Sequence, residues 1–118
     1  APGKWTLKEM LQHIIDTERI FNFRALCFAR QETQNIPGFE EDDYAANSHA
    51  AGRSWQSLCE ELKAVRQSTR FLFESFSAGD YDHSGSANGK ATTVVAVGFM
   101  TVGHLYHHVN VIKERYLG

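Results

Sequence analysis

Proline stands at only two positions of this chain, Pro2 and Pro37, and both lie outside every stretch with helical apolar spacing. A proline inside a helix removes a hydrogen bond and clashes with the preceding turn. Three long segments are therefore free to be helical, and their apolar residues recur at threes and fours, as one helix face requires. The first covers residues 6–31. Thr6 and Glu9 make a capping-box pair, Trp5 can staple onto Met10, and Leu7, Leu11, Ile14, Ile15, Phe21, Ala25 and Phe28 carry the stripe. The second covers residues 53–76, with Trp55, Leu58, Leu62, Val65, Leu72, Phe73 and Phe76. The third begins at Thr92 or Thr93, either of which can cap it, and reaches Tyr116. Its Val94, Val95 and Val97 would also suit a strand, but length and the later spacing decide for helix. Gly98 and Gly103 cost that helix about 1 kcal/mol each relative to alanine, and would admit a close neighbouring backbone.

The intervening stretches lack this rhythm. Residues 32–51 are acidic and irregular, with a turn around Pro37-Gly38. The four acids Glu40, Glu41, Asp42 and Asp43 read as a solvated loop, with part of a substrate entrance as the competing reading. Tyr44 and the alanines after it can hold a short helical turn. Residues 77–91 read as a loop with a tight turn at Asn88-Gly89. The fold class expected is all-α: one domain over residues 1–118, an antiparallel helix bundle with three long helices. Their wide apolar stripes leave a face that calls for a further helix or a second chain.

Net charge is −2 with neutral histidines, which gives no general affinity for nucleic acid or anionic membrane. No apolar run is long enough to span a bilayer, and no leader is visible, so the expected setting is cytoplasmic. Cys27 and Cys59 are far apart and in no C-x-x-C pair, and read as free buried thiols.

Six histidines is a high count, and three fall in Gly103-His104-Leu105-Tyr106-His107-His108. His104 and His108 stand four apart, so both imidazoles leave the same face of a helix. Such a pair can grip one metal ion if a third ligand arrives from elsewhere. His13, beside Met10 and Ile14 on the half-buried side of the first segment, is the best candidate. Three nitrogen ligands plus water is the open, catalytic arrangement, and it suits zinc, nickel or iron. His107 points about 100° away from His108 and cannot share the ion. His49 and His83 fall in loops and are expected to face solvent. Asp16, Glu18 and Glu114 are candidates to orient the ligating rings. Arg24, Arg30 and Arg115 could meet an anionic substrate, though solvated helix charges explain them equally well. No phosphate-binding glycine loop and no recognisable serine or cysteine nucleophile motif is present.

The segment from Pro2-Gly3-Lys4-Trp5-Thr6 through His13-Ile14-Ile15-Asp16-Thr17-Glu18-Arg19 resembles the DinB-like superfamily, together with Arg24-Ala25-Leu26, Phe28-Ala29-Arg30, the turn Ile36-Pro37-Gly38-Phe39 and the closing histidine run. The resemblance runs almost end to end. It implies a four-helix bundle with one metal held by three histidines, at positions His13, His104 and His108. It also implies a long helix ahead of Gly3-Lys4-Trp5, which this chain lacks, and from that a homodimer or a truncated fragment is expected. Some related groups are transferases or isomerases that use low-molecular-weight thiols.

Two functional classes follow from these readings. One is a metal-dependent enzyme acting on a small molecule, either a thiol-dependent transferase or a hydrolase. The other is a non-catalytic binding or stress-associated protein whose metal only ties helices together. A metal-free bundle with a buried histidine cluster is a third possibility.

Overall fold

The computed structural model describes residues 5–114. The first helix, α1, spans Leu7–Ala29 and starts at the expected box: the Thr6 hydroxyl accepts from the Glu9 amide at 3.1 Å, and the Glu9 carboxylate accepts from the Thr6 amide at 2.9 Å. After a short helix α2, Glu41–Ala46, helix α3 spans Trp55–Glu74, capped by Ser54. Helix α4 spans Val94–Ile112, and Thr93 caps it by accepting from the Ala96 amide. Each cap satisfies an amide that the first helical turn leaves without a partner. The expected end of the last helix, at Tyr116, lies outside the described residues.

Partners along α1 fix the directions. Val94 and Val97 pack with Ala25, Phe28 and Ala29, whereas Leu105 and Ile112 pack with Trp5, Met10 and Ile14. Helix α4 thus runs antiparallel to α1. Leu58 packs with Leu11 and Ile15, while Thr69 accepts from the Asn22 amide further along. Helix α3 therefore runs parallel to α1, because residues 30–54 carry the chain back along its length. The bundle has the all-α architecture expected, with the antiparallel relation confined to α4.

Residues 77–91 are more ordered than the loop expected of them. Strands β1, Ser84–Ala87, and β2, Lys90–Thr93, form an antiparallel hairpin with Ala87 opposite Lys90. Asn88 and Gly89 both have positive φ, 53° and 75°, as the two-residue turn that matches strand twist demands. Asn35 holds that turn: its Oδ1 accepts from Ser86 Oγ at 2.7 Å and from the Gly89 amide at 2.9 Å. Gly85 lies against the Phe28 ring, where a Cβ would come within 2.2 Å of Cδ1. Four-residue strands of serine, glycine, alanine and lysine carry no alternating pattern, so spacing does not reveal them.

Three further expectations are corrected. Glu41, Asp42 and Asp43 form the first turn of α2 rather than a loop, where the positive end of the helix favours acids. Gly98 admits a side chain, the Phe73 ring, and not a backbone, and nothing lies within 4 Å of a Cβ placed at Gly103. Cys27 and Cys59 are free thiols, as expected, though half-buried rather than buried. Val95, Phe99, Val102 and Tyr106 form an exposed apolar stripe along α4. No described helix is long and apolar enough to cross a membrane.

Candidate metal centre

Helices α1 and α4 lie side by side, and their facing stripes carry the histidines to one point. His13 Nε2 stands 3.1 Å from His104 Nε2. The His108 ring is 4.8 Å from His13 and 4.3 Å from His104, centroid to centroid. One nitrogen from each of the three lies within 4.8 Å of the others, and no carboxylate or thiol joins them among the described residues. The i, i+4 spacing supplies two of these rings and the α1–α4 contact supplies the third. Residues ninety-one positions apart thus meet as the sequence predicts.

Burial governs their charge. His13 and His108 are each 4% exposed. Desolvation first, and then repulsion from His108, lower the His13 pKa to about 4. The same cause, reinforced by His108, His13 and His107, lowers His104 to about 3. His108 also moves down, by burial and then by His107. All three are neutral imidazoles at pH 7, the form that ligates a metal.

The donors fit an ion. Two ligands at 2.0–2.1 Å from a tetrahedral metal stand roughly 3.3–3.4 Å apart, close to the 3.1 Å between His13 and His104. His108 Nδ1 is buried and has no hydrogen-bond partner among the described residues. Three desolvated imidazoles, one of them with a buried nitrogen that has no partner among the described residues, are costly without something for them to share.

The groups around the rings differ from those expected. Thr17, buried one turn beyond His13, places its hydroxyl 3.4 Å from His13 Nδ1. In the tautomer with the proton on Nδ1, this hydroxyl accepts the N–H and the Nε2 lone pair faces the other histidines. The i+4 spacing from His13 was the signal for Thr17. Asp16 instead accepts from Gln12 at 2.9 Å, and burial raises its pKa. Glu18 turns toward α3, where Arg66 and Thr69 donate to it at 3.0 and 2.5 Å. No described hydrogen bond or ion pair joins Glu114 to His108. Trp5 stacks at a tilt 4.7 Å from the His13 ring, and Phe21 meets His104 edge-on at 5.9 Å.

The remaining histidines stay outside the centre. His107 is exposed, with its ring 4.9 Å from that of His108. His49 is exposed, as expected. His83 is half-buried rather than solvent-facing, because its Nδ1 donates to the Ala29 carbonyl at 3.1 Å. Arg30 is exposed, Arg24 is half-buried, and Arg115 lies outside the described residues.

Comparison with known proteins bears on the family and the fold. A family model described as the DinB superfamily matches residues 1–112. No curated protein matches the chain in sequence. Among solved structures, YfiT from Bacillus subtilis superposes with a TM-score of 0.84 at 18% identity, over 98% of this chain and 67% of that one. That protein is described as a probable metal-dependent hydrolase with an unusual four-helix bundle topology. At this identity the likeness establishes the fold.

Proposed function

For a chain that belongs to the DinB superfamily, we propose a metal-dependent enzyme that hydrolyses a small molecule at the centre formed by His13, His104 and His108. One observation carries the reading: three convergent histidine nitrogens with no fourth protein donor among the described residues. A structural site is normally closed by four protein ligands, whereas a catalytic one keeps a position for water or substrate. The description of YfiT as a probable metal-dependent hydrolase supports the same class.

A divalent ion held there supplies Lewis acidity, polarising a carbonyl and making water acidic enough to ionise near neutral pH. The chain supplies the rest. His13, His104 and His108 stay neutral through burial and present lone pairs. Thr17 fixes the orientation of His13, and the Trp5 and Phe21 rings exclude water from two sides. The same open position would accept a thiolate, so a thiol-dependent transfer uses identical ligands. Zinc, nickel and iron all accept three imidazoles.

The test uses protein purified without a histidine tag and loaded with Co(II) or zinc, assayed against a panel of small esters and amides. Hydrolysis should vanish with chelator, return with metal, and be absent in His104→Ala. Azide should perturb the Co(II) spectrum by entering the open position. A metal-loaded protein that turns over nothing in the panel, with a spectrum indifferent to azide, would identify a closed structural site.

A further inference from the structure

Beside the histidines, along the same α1–α4 seam, lies a second feature that the centre itself does not explain. It is a cavity of about 340 Å³ lined by Phe21 and Arg24 of α1, Val97 and Met100 of α4, and Lys90 and Thr92 of the hairpin, among others. Its lining contains two cations and no acid. Among the described residues neither Arg24 nor Lys90 has a carboxylate within ion-pair distance. Arg24 Nε is buried and has no hydrogen-bond partner. Elsewhere half-buried arginines meet carboxylates: Arg66 meets Glu18, and Arg53 meets Glu61. An unpaired, partly desolvated guanidinium is a costly arrangement unless an anion completes it.

None of the three histidines lines the cavity, but Phe21, which does, also meets the His104 ring, so the cavity adjoins the centre further along the same two helices. His13, Thr17, Phe21 and Arg24 follow one another at intervals of four, four and three along α1, and Val97, Met100, His104 and His108 share one side of α4. Phe21 is the link between the two sites. The Arg24 guanidinium carbon lies 5.7 Å from one side of its ring, and His104 meets it at 5.9 Å. Burial lowers the Arg24 pKa, which reflects the same lack of compensation.

We propose that this cavity binds the carboxylate of the substrate, with Arg24 as the fork and Lys90 as a second charge, while the reacting group lies at the three histidines. The planar guanidinium matches a carboxylate with two parallel hydrogen bonds. The volume, near the lower end for ligand sites, suits a small molecule. The substrate class is thus a small carboxylic acid whose reactive group is several bonds from its carboxylate. This inference rests on the metal-centre reading for the reacting end alone; the anion site stands on the cavity.

The test loads the protein with Co(II) and titrates ω-mercaptocarboxylates of three to six carbons against their amides, reading thiolate binding from the Co(II) spectrum. At least one acid should bind about tenfold or more tightly than its amide, as a charge-assisted bond implies. Arg24→Gln and Lys90→Gln should each shrink that preference with Co(II) affinity unchanged, and Lys63→Gln, an exposed cation on α3, should keep it. Lys90 is exposed on the hairpin, so its variant serves if Arg24→Gln does not fold. Equal binding of every acid and amide, or a preference that survives both variants, overturns the proposal. Failure to take up Co(II) would sink the metal reading instead. The carboxylate site is then read on metal-free protein, where glutarate should shift the Arg24 Nε–H resonance, and an unmoved resonance overturns it. Stronger displacement of glutarate by inorganic phosphate would reassign the cavity to phosphate and overturn the carboxylate.

Discussion

Acidification should destabilise the metal-stripped protein through its buried imidazoles, by an amount the structure sets. His13 and His104 are held at about 4 and about 3 in the folded chain, against 6.5 when unfolded. Below pH 6.5 the unfolded state therefore binds more protons than the folded one, and stability falls as pH falls. The loss starts near 6.5 and is complete only below the folded values. Each pH unit in this window removes about 1.4 kcal/mol per histidine that stays neutral in the fold. At pH 5.0, one and a half units into the window, that is about 2 kcal/mol each and about 4 kcal/mol for the pair. Such a loss is a large part of the stability of a small domain. The assay is urea unfolding with chelator at pH 7.5, 6.5 and 5.0, for the wild type and for His104→Gln. Between pH 7.5 and 5.0 the variant should lose about 2 kcal/mol less stability than the wild type, because carboxylate contributions are common to both proteins and cancel in that difference. Equal pH slopes in the two proteins would mean that His104 titrates as freely folded as unfolded, and would refute the buried arrangement.

Other perturbations probe separate links. Gly85→Ala drives a methyl group into the Phe28 ring; overpacking of this kind should cost about 1–3 kcal/mol in chemical denaturation. Thr17→Val keeps the side-chain shape but removes the oxygen facing His13 Nδ1. Zinc affinity, measured by competition with a chelating dye, should drop about tenfold or more, while thermal stability of the metal-free protein changes little. Glu18→Ala leaves Arg66 without the buried carboxylate it donates to, whereas Thr69 keeps the Val65 carbonyl as acceptor. It should lower the urea midpoint by about 3 kcal/mol of stability, near the lower end for a broken buried pair because Arg66 keeps some solvent.

What was legible in the sequence follows from the range of each interaction. Helices α1, α3 and α4 announce themselves because threefold and fourfold apolar spacing, with the caps Thr6 and Thr93 for the first and last, acts within a turn or two. The histidine cluster was legible for a related reason: the i, i+4 pair supplies two of its three rings, and His13, on the half-buried side of the first helix, was the best candidate for the third. The direction of α3 was not, because a crossover by residues 30–54 and a tight return leave the same apolar stripe. The hairpin was reduced to its Asn88-Gly89 turn because its strands are too short and polar to alternate, and Asn35 holds them from a distance in sequence. Glu18 looked like a neighbour of His13, but five residues turn a helix through 500°, leaving the two side chains about 140° apart. Thr17, at the proper four-residue step, is a neutral oxygen where a search for carboxylates does not look.

The central claim is that three imidazoles from opposite ends of the chain share one divalent ion. Metal content per chain, measured by elemental analysis on tag-free protein equilibrated with zinc and freed of excess, tests it most directly. The account predicts one equivalent for the wild type and essentially none for His13→Ala, His104→Ala or His108→Ala, each retaining helical circular dichroism. A wild type that emerges without metal, or single variants that keep a full equivalent, would contradict it.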